Sequence, residues 1–97
     1  MQLINPATEE IISEVKEDSK ESIDQKFNML KSAQPKWAKV TLRERIIILQ
    51  NFGQLLETNI EHLAKILTSE VGKPLRQSHN EINGARSRIK WLTENAE

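Results

Sequence analysis

The sequence predicts a mainly α fold, a short N-terminal β-hairpin followed by three to four amphipathic helices. Apolar residues alternate only within residues 2–16, and from about Asp18 onward they recur at steps of three and four, the period of a helix. Caps and breakers then follow at short-helix spacing, with Thr41 and Glu44, Asn59, and Gly72 with Pro74. Within residues 1–97 these signals place a hairpin at 2–16 and helices at about 19–34, 42–58, 60–70 and 74–94.

In the hairpin, Leu3 and Ile4 are β-prone, and Asn5-Pro6-Ala7-Thr8 is a turn in which the fixed φ of proline is useful. The second strand puts Ile11 and Val15 on one face and Ile12 on the other. An isolated hairpin is marginal in water, so this one is expected to lean on another element. In the first helix, Asp18 or Ser19 can cap, and Asp18 with Glu21 has capping-box spacing. Ile23, Phe27, Leu30 and Trp37 form its stripe, and Pro35, lacking a donor, is expected to stop or kink it near Ala33.

Thr41-Leu42-Arg43-Glu44 is a capping box opening a second helix with an inner stripe of Leu42, Ile46, Leu49, Phe52 and Leu56. Ile47, Ile48 and Leu55 widen its apolar surface, so burial on more than one side is expected. Gly53 costs about 1 kcal/mol relative to alanine in mid-helix, which a closely packed neighbour would explain. Asn59 can cap a third helix carrying Ile60, Leu63, Ala64 and Leu67, and Gly72 suits the left-handed residue that ends it. Pro74 is placed as the first residue of a fourth helix with the stripe Leu75, Ser78, Ile82, Ala85, Ile89 and Leu92.

Composition narrows the function classes. At 37% hydrophobic and 29% charged, the chain is too apolar for a disordered tail and too polar for a self-sufficient α/β core. Fourteen acidic residues balance fourteen basic ones, which argues against nucleic acid or anionic lipid as partner. No apolar run approaches a membrane span, and the first residues lack the pattern of a secretory signal. With no cysteine there is neither a disulfide nor a thiol nucleophile, which fits a reducing cytoplasm.

Three patterns carry a resemblance: Ile4-Asn5-Pro6-Ala7-Thr8-Glu9-Glu10-Ile11-Ile12 with Val15 following; Trp37 through Arg45, Leu49, Leu55, Leu56 and Glu57 to Asn59 and Leu63; and Glu70-Val71-Gly72-Lys73-Pro74 with Glu81 seven residues later. In this order and spacing they resemble the opening of the aldehyde dehydrogenase superfamily, from Ile4 to about Leu92. The style of Glu70 to Glu81 leans toward its succinate-semialdehyde group. The chain departs at Glu9, where the family usually has glycine, and this bears on the geometry of the first turn.

The resemblance implies an N-terminal portion of the α/β fold of an NAD(P)-dependent enzyme that oxidises an aldehyde to a carboxylic acid. Such enzymes use a cysteine thiolate, hydride transfer to the nicotinamide and a glutamate-activated water. Here the nucleophile is missing, and Gly53, Gly72 and Gly84 lie too far apart to form a dinucleotide loop. The resemblance places those elements downstream, so no catalytic, cofactor-binding or metal residue is expected in this segment. Its expected partner is the remainder of the dehydrogenase chain, with self-association when isolated.

Several residues have two readings. Lys73, beside a glycine at a helix start, could meet an anion, but reads first as a helix-boundary lysine with its charge in solvent. His62 and His79, 17 residues apart, read as surface histidines, a metal site requiring Glu61 or Glu81 to join them. Arg76, Glu81, Arg86, Arg88 and Lys90 read as a solvated or inter-domain face. By the resemblance, Asn80 and Gly84 border the aldehyde entry channel; otherwise Gly84 permits close helix packing. The rival to the family reading is a free-standing helical interaction module, and a nucleic-acid-binding bundle ranks last.

Overall fold

The computed structural model describes residues 1–96. Two strands, β1 (Gln2–Ile4) and β2 (Ile11–Glu14), precede four helices, α1 (Lys20–Ala38), α2 (Leu42–Thr58), α3 (Ile60–Val71) and α4 (Leu75–Glu94). β1 and β2 pair antiparallel, Gln2 opposite Glu14 and Ile4 opposite Ile11, with a register shift between Leu3 and Ile4. The turn closes through Asn5, whose Oδ1 accepts from the Ala7 N–H at 2.9 Å and whose carbonyl accepts from the Glu9 N–H at 2.8 Å.

α1 begins at Ser19, whose hydroxyl accepts from the Ser22 N–H at 3.2 Å. Asp18 instead accepts from Ser22 Oγ at 2.8 Å and from Lys26 Nζ, so the expected Asp18–Glu21 box is replaced by a serine cap. The stop expected near Ala33 does not occur either, since α1 runs through Pro35 to Ala38. The missing donor is tolerated because α1 has no buried residue, which leaves its freed carbonyl to water. Its last carbonyls, those of Trp37 and Ala38, accept from Arg45 Nη2, and Arg45 Nε donates to Val40 in the following turn, each at 3.0 Å. The guanidinium also lies 5.3 Å from the Trp37 ring centroid.

α2 opens on the expected box, the Thr41 hydroxyl accepting from the Glu44 N–H and the Glu44 carboxylate accepting from the Thr41 N–H. Asn59 separates α2 from α3 but does not cap α3; its Nδ2 donates backward to the Leu55 carbonyl at 2.8 Å. Pro74 lies one position outside α4, because its extended ψ of 140° places it at the cap.

α4 is the central element, packing against both α2 and α3. The core is small: Ala64 and Ile82, with Ser78 and Thr93. Ser78 is fully buried and shares a hydrogen bond with Thr68 Oγ1 at 2.8 Å, which satisfies both hydroxyls. α2 buries no residue, contrary to the expectation of burial on several sides, because α4 and α3 reach one face only. The result is a slab of 47 × 37 × 16 Å with a radius of gyration of 17.5 Å. A compact chain of this length would have a radius of about 12.5 Å.

Candidate functional site

α4 presents the positions singled out by the resemblance. Ser78, Ile82 and Thr93 are its buried residues and define the side turned to α2 and α3. At 100° per residue, Asn80, Gly84, Ser87 and Trp91 fall on the opposite side. Asn80 is exposed, Gly84 is half-buried, and a Cβ placed on Gly84 would meet nothing within 4 Å. No packing within the described residues therefore requires a glycine at that point. Gly53 does face a neighbour, with Ile89 Cγ2 at 3.5 Å from an added Cβ, an ordinary contact and not a forced one.

The α3–α4 corner is tighter. Gly72 ends α3 at φ +70°, the left-handed conformation that suits glycine. An added Cβ there would also lie 2.8 Å from Pro6 Cγ. The asparagine-proline turn and the glycine-lysine-proline step thus touch in space, and the hairpin leans on the helices at this point. Lys73 Nζ pairs with Glu81 across the start of α4, so its charge is neither free in solvent nor open to an anion.

Two other side-chain contacts join helices. Arg86 pairs with Glu57 at 2.7 Å, linking α4 to α2, and His79 Nε2 lies 3.5 Å from Glu61 Oε2, linking α4 to α3. His62 is exposed on the other histidine-bearing helix. Among the described residues, no three or more His, Cys, Asp or Glu side chains converge as metal ligands. Among the described residues no helix is long and apolar enough to cross a membrane.

Among the described residues the three glycines do not come together in a phosphate-binding turn. Gly53, Gly72 and Gly84 stand on α2, at the end of α3 and on α4, and the sheet described is a two-stranded antiparallel hairpin. A phosphate cradle needs a glycine-rich turn from a strand into a helix N-terminus. Sequence reasoning missed two contacts that shape the corner and the α1–α2 joint, Pro6 on Gly72 and Arg45 on the end of α1. Periodicity reports which face is apolar but not which distant residues meet on it.

The profile of the aldehyde dehydrogenase family matches residues 1–97. The chain belongs to the aldehyde dehydrogenase family. It is 37% identical over 93 residues to a 3,6-anhydro-α-L-galactose dehydrogenase of Vibrio sp. (strain EJY3), covering 96% of this chain and 19% of that one. It is 33% identical to a succinate semialdehyde dehydrogenase of Acinetobacter baylyi, covering 97% of this chain and 20% of the relative. Among solved structures it superposes with a TM-score of 0.92 on glyceraldehyde-3-phosphate dehydrogenase of Methanocaldococcus jannaschii complexed with NADP, at 26% identity. That match covers 96% of this chain and 20% of the other. The chain spans about a fifth of the length of the relatives it matches.

Family membership gives the first turn its context. Glu9, the position at which the sequence departs from the resemblance, holds φ at 62° and keeps a left-handed turn despite its Cβ.

Proposed function

We propose that this chain is the N-terminal scaffold of an NAD(P)-dependent aldehyde dehydrogenase that oxidises an aldehyde to a carboxylic acid. The supporting observation is the superposition of nearly the whole chain on one fifth of an NADP-bound dehydrogenase, combined with the absence of any cysteine. The segment positions other parts of the enzyme; the nucleophile, the water-activating carboxylate and the cofactor site belong to the remaining four fifths. The aldehyde class we favour is a short dicarboxylic semialdehyde, as in the names of the malonate, succinate and glutarate semialdehyde relatives.

The outward face of α4 borders the aldehyde entry channel in this reading, with Asn80 and Gly84 toward it. Gly84→Phe in the complete enzyme is then expected to raise KM several-fold for bulky aldehydes while kcat for small ones changes little, as steady-state kinetics would read. A substitution that left KM unchanged for every aldehyde would remove Gly84 from the channel.

The reading as a whole is tested by complementation. The 97-residue chain is co-expressed with the Vibrio relative lacking its matching N-terminal fifth, and NAD(P)H formation is followed. No turnover by either part alone, and turnover by the pair, is the expected result. Turnover by this chain alone, or a pair no better than the truncated relative, would contradict it. In isolation we expect the chain to self-associate, because its uncovered apolar surface has no other partner.

A further inference from the structure

We propose that α1 is a jaw that closes on the outer face of α2, with Arg45 as the pin of its hinge, and that the structure described is its open state. The joint is residues 39–41, between the end of α1 at Ala38 and the start of α2 at Leu42. Antiparallel helices are joined by loops of about 2–5 residues, so this joint has the length that a closed helical hairpin uses. Among the described residues, the side-chain hydrogen bonds that cross it come from Arg45, to the carbonyls of Trp37, Ala38 and Val40. The helices that pack on one another are α2, α3 and α4, and α1 buries no residue along its length. A pin at one end of a rod about 28 Å long leaves the far end free to swing.

The apolar stripes of the two helices match in register about that joint. Ile23, Phe27, Leu30 and Trp37 form one face of α1, and Ile48, Phe52 and Leu55 continue from Arg45 along one face of α2 at helical spacing. All seven apolar side chains are exposed, Phe27 by 60% and Phe52 by 49%. Leu30, Phe27 and Ile23 stand ten, thirteen and seventeen residues before Val40, and Ile48, Phe52 and Leu55 stand eight, twelve and fifteen after it. In an antiparallel pair these partners fall within about 3 Å of one another along the axis. The innermost rung is already made, since the Arg45 guanidinium lies 5.3 Å from the Trp37 ring centroid. Trp37 and Arg45 belong to the two stripes, so the stripes leave this apex on the inner sides of the angle between the helices.

Closure meets no electrostatic opposition and needs little slack. From Ile46 to Leu56 α2 carries no charged residue, so Lys20, Lys26 and Lys31 beside the α1 stripe meet no like charge there. Lysine stems lie readily along apolar surface with the ammonium in water. Residues 15–19, in neither strand nor helix, connect the hairpin to α1 and reach about 17 Å when extended. The hairpin therefore stays against Gly72 while the start of α1 moves toward the end of α2. Trp91 and Leu92 on α4 remain exposed in both states. Closure involves two helices of one chain and does not depend on the scaffold reading.

Pulsed electron spin resonance tests this, with circular dichroism as the control for folding. The chain has no cysteine, so nitroxide labels go only to Glu21→Cys at the start of α1 and His62→Cys on α3, just beyond α2. Two distance populations are expected, that of the structure described and a shorter one. The shorter one should persist when labelled chain is diluted into unlabelled chain, as a distance within one molecule must. Phe27→Glu and Phe52→Glu should each lower the short population roughly tenfold with helix content unchanged, through the loss of one buried aromatic contact. Met29→Glu, a third of a turn from the α1 stripe, should leave it in place. A single population at the open distance, or a short one that vanishes on dilution into unlabelled chain, would overturn the proposal. So would a short population that survives either phenylalanine substitution in a helical chain, its loss with Met29→Glu, or the loss of helix in both phenylalanine variants.

Discussion

Gly72 ends α3 and Gly84 lies in the middle of α4, and the two glycines answer to different physics. Gly72 needs its left-handed φ and has Pro6 where a Cβ would go, so Gly72→Ala is expected to destabilise the chain by at least 1–2 kcal/mol, roughly the cost of the φ alone. Gly84 sits in a helix with open space beside it, so Gly84→Ala is expected to stabilise by up to about 1 kcal/mol through helix propensity. Urea unfolding of the two variants reads both signs, and equal effects would mean that the corner is looser than described. Glu9 is the converse case, an ordinary side chain held at φ 62°. Glu9→Gly is expected to stabilise by roughly 0.5–1 kcal/mol, the relief of the left-handed strain less the extra freedom glycine has when unfolded. A lower midpoint for that variant would show that the Glu9 Cβ costs nothing there.

At the level of the element, the box that opens α2 was legible because capping is local. Thr41 and Glu44 are three residues apart and need only each other. Gly72 was legible for the same reason. Pro35 and Asn59 were not, because their roles depend on surroundings: Pro35 is tolerated where α1 is solvated, and Asn59 closes the helix behind it. The proposed channel role of Asn80 and Gly84 comes through resemblance alone, since helical spacing places them on one face without saying what faces them. Thr41→Ala should cost roughly 1 kcal/mol as a lost cap.

The same box has a pH signature. The Thr41 hydroxyl, and then the Thr41 backbone N–H, hold the Glu44 carboxyl below its ordinary pKa. A depressed carboxyl contributes stability above its unfolded pKa, about 4.3, and loses it as pH falls through the lower folded value. Thr41→Ala should therefore flatten the loss of stability on acidification through that window, as melting temperatures across it would show. An unchanged acid limb would mean that the bond to Glu44 is not kept in solution.

Across the whole molecule, the slab shape follows from a core confined to the contacts of α4 with α2 and α3. α1 buries nothing and is joined to the body chiefly through Arg45, so its stability must come from local propensity and one capped end. In the proposed scaffold reading such a helix belongs to a surface that another part of a larger enzyme completes, and this is the central claim of that proposal. Amide hydrogen exchange tests it most directly, on the 97-residue chain alone and again with the truncated relative bound. The expected result is α1 exchanging orders of magnitude faster than α3 and α4 in the lone chain and becoming protected in the complex. Equal protection of α1 and α4 in the lone chain, or an α1 that stays unprotected in the complex, would contradict it.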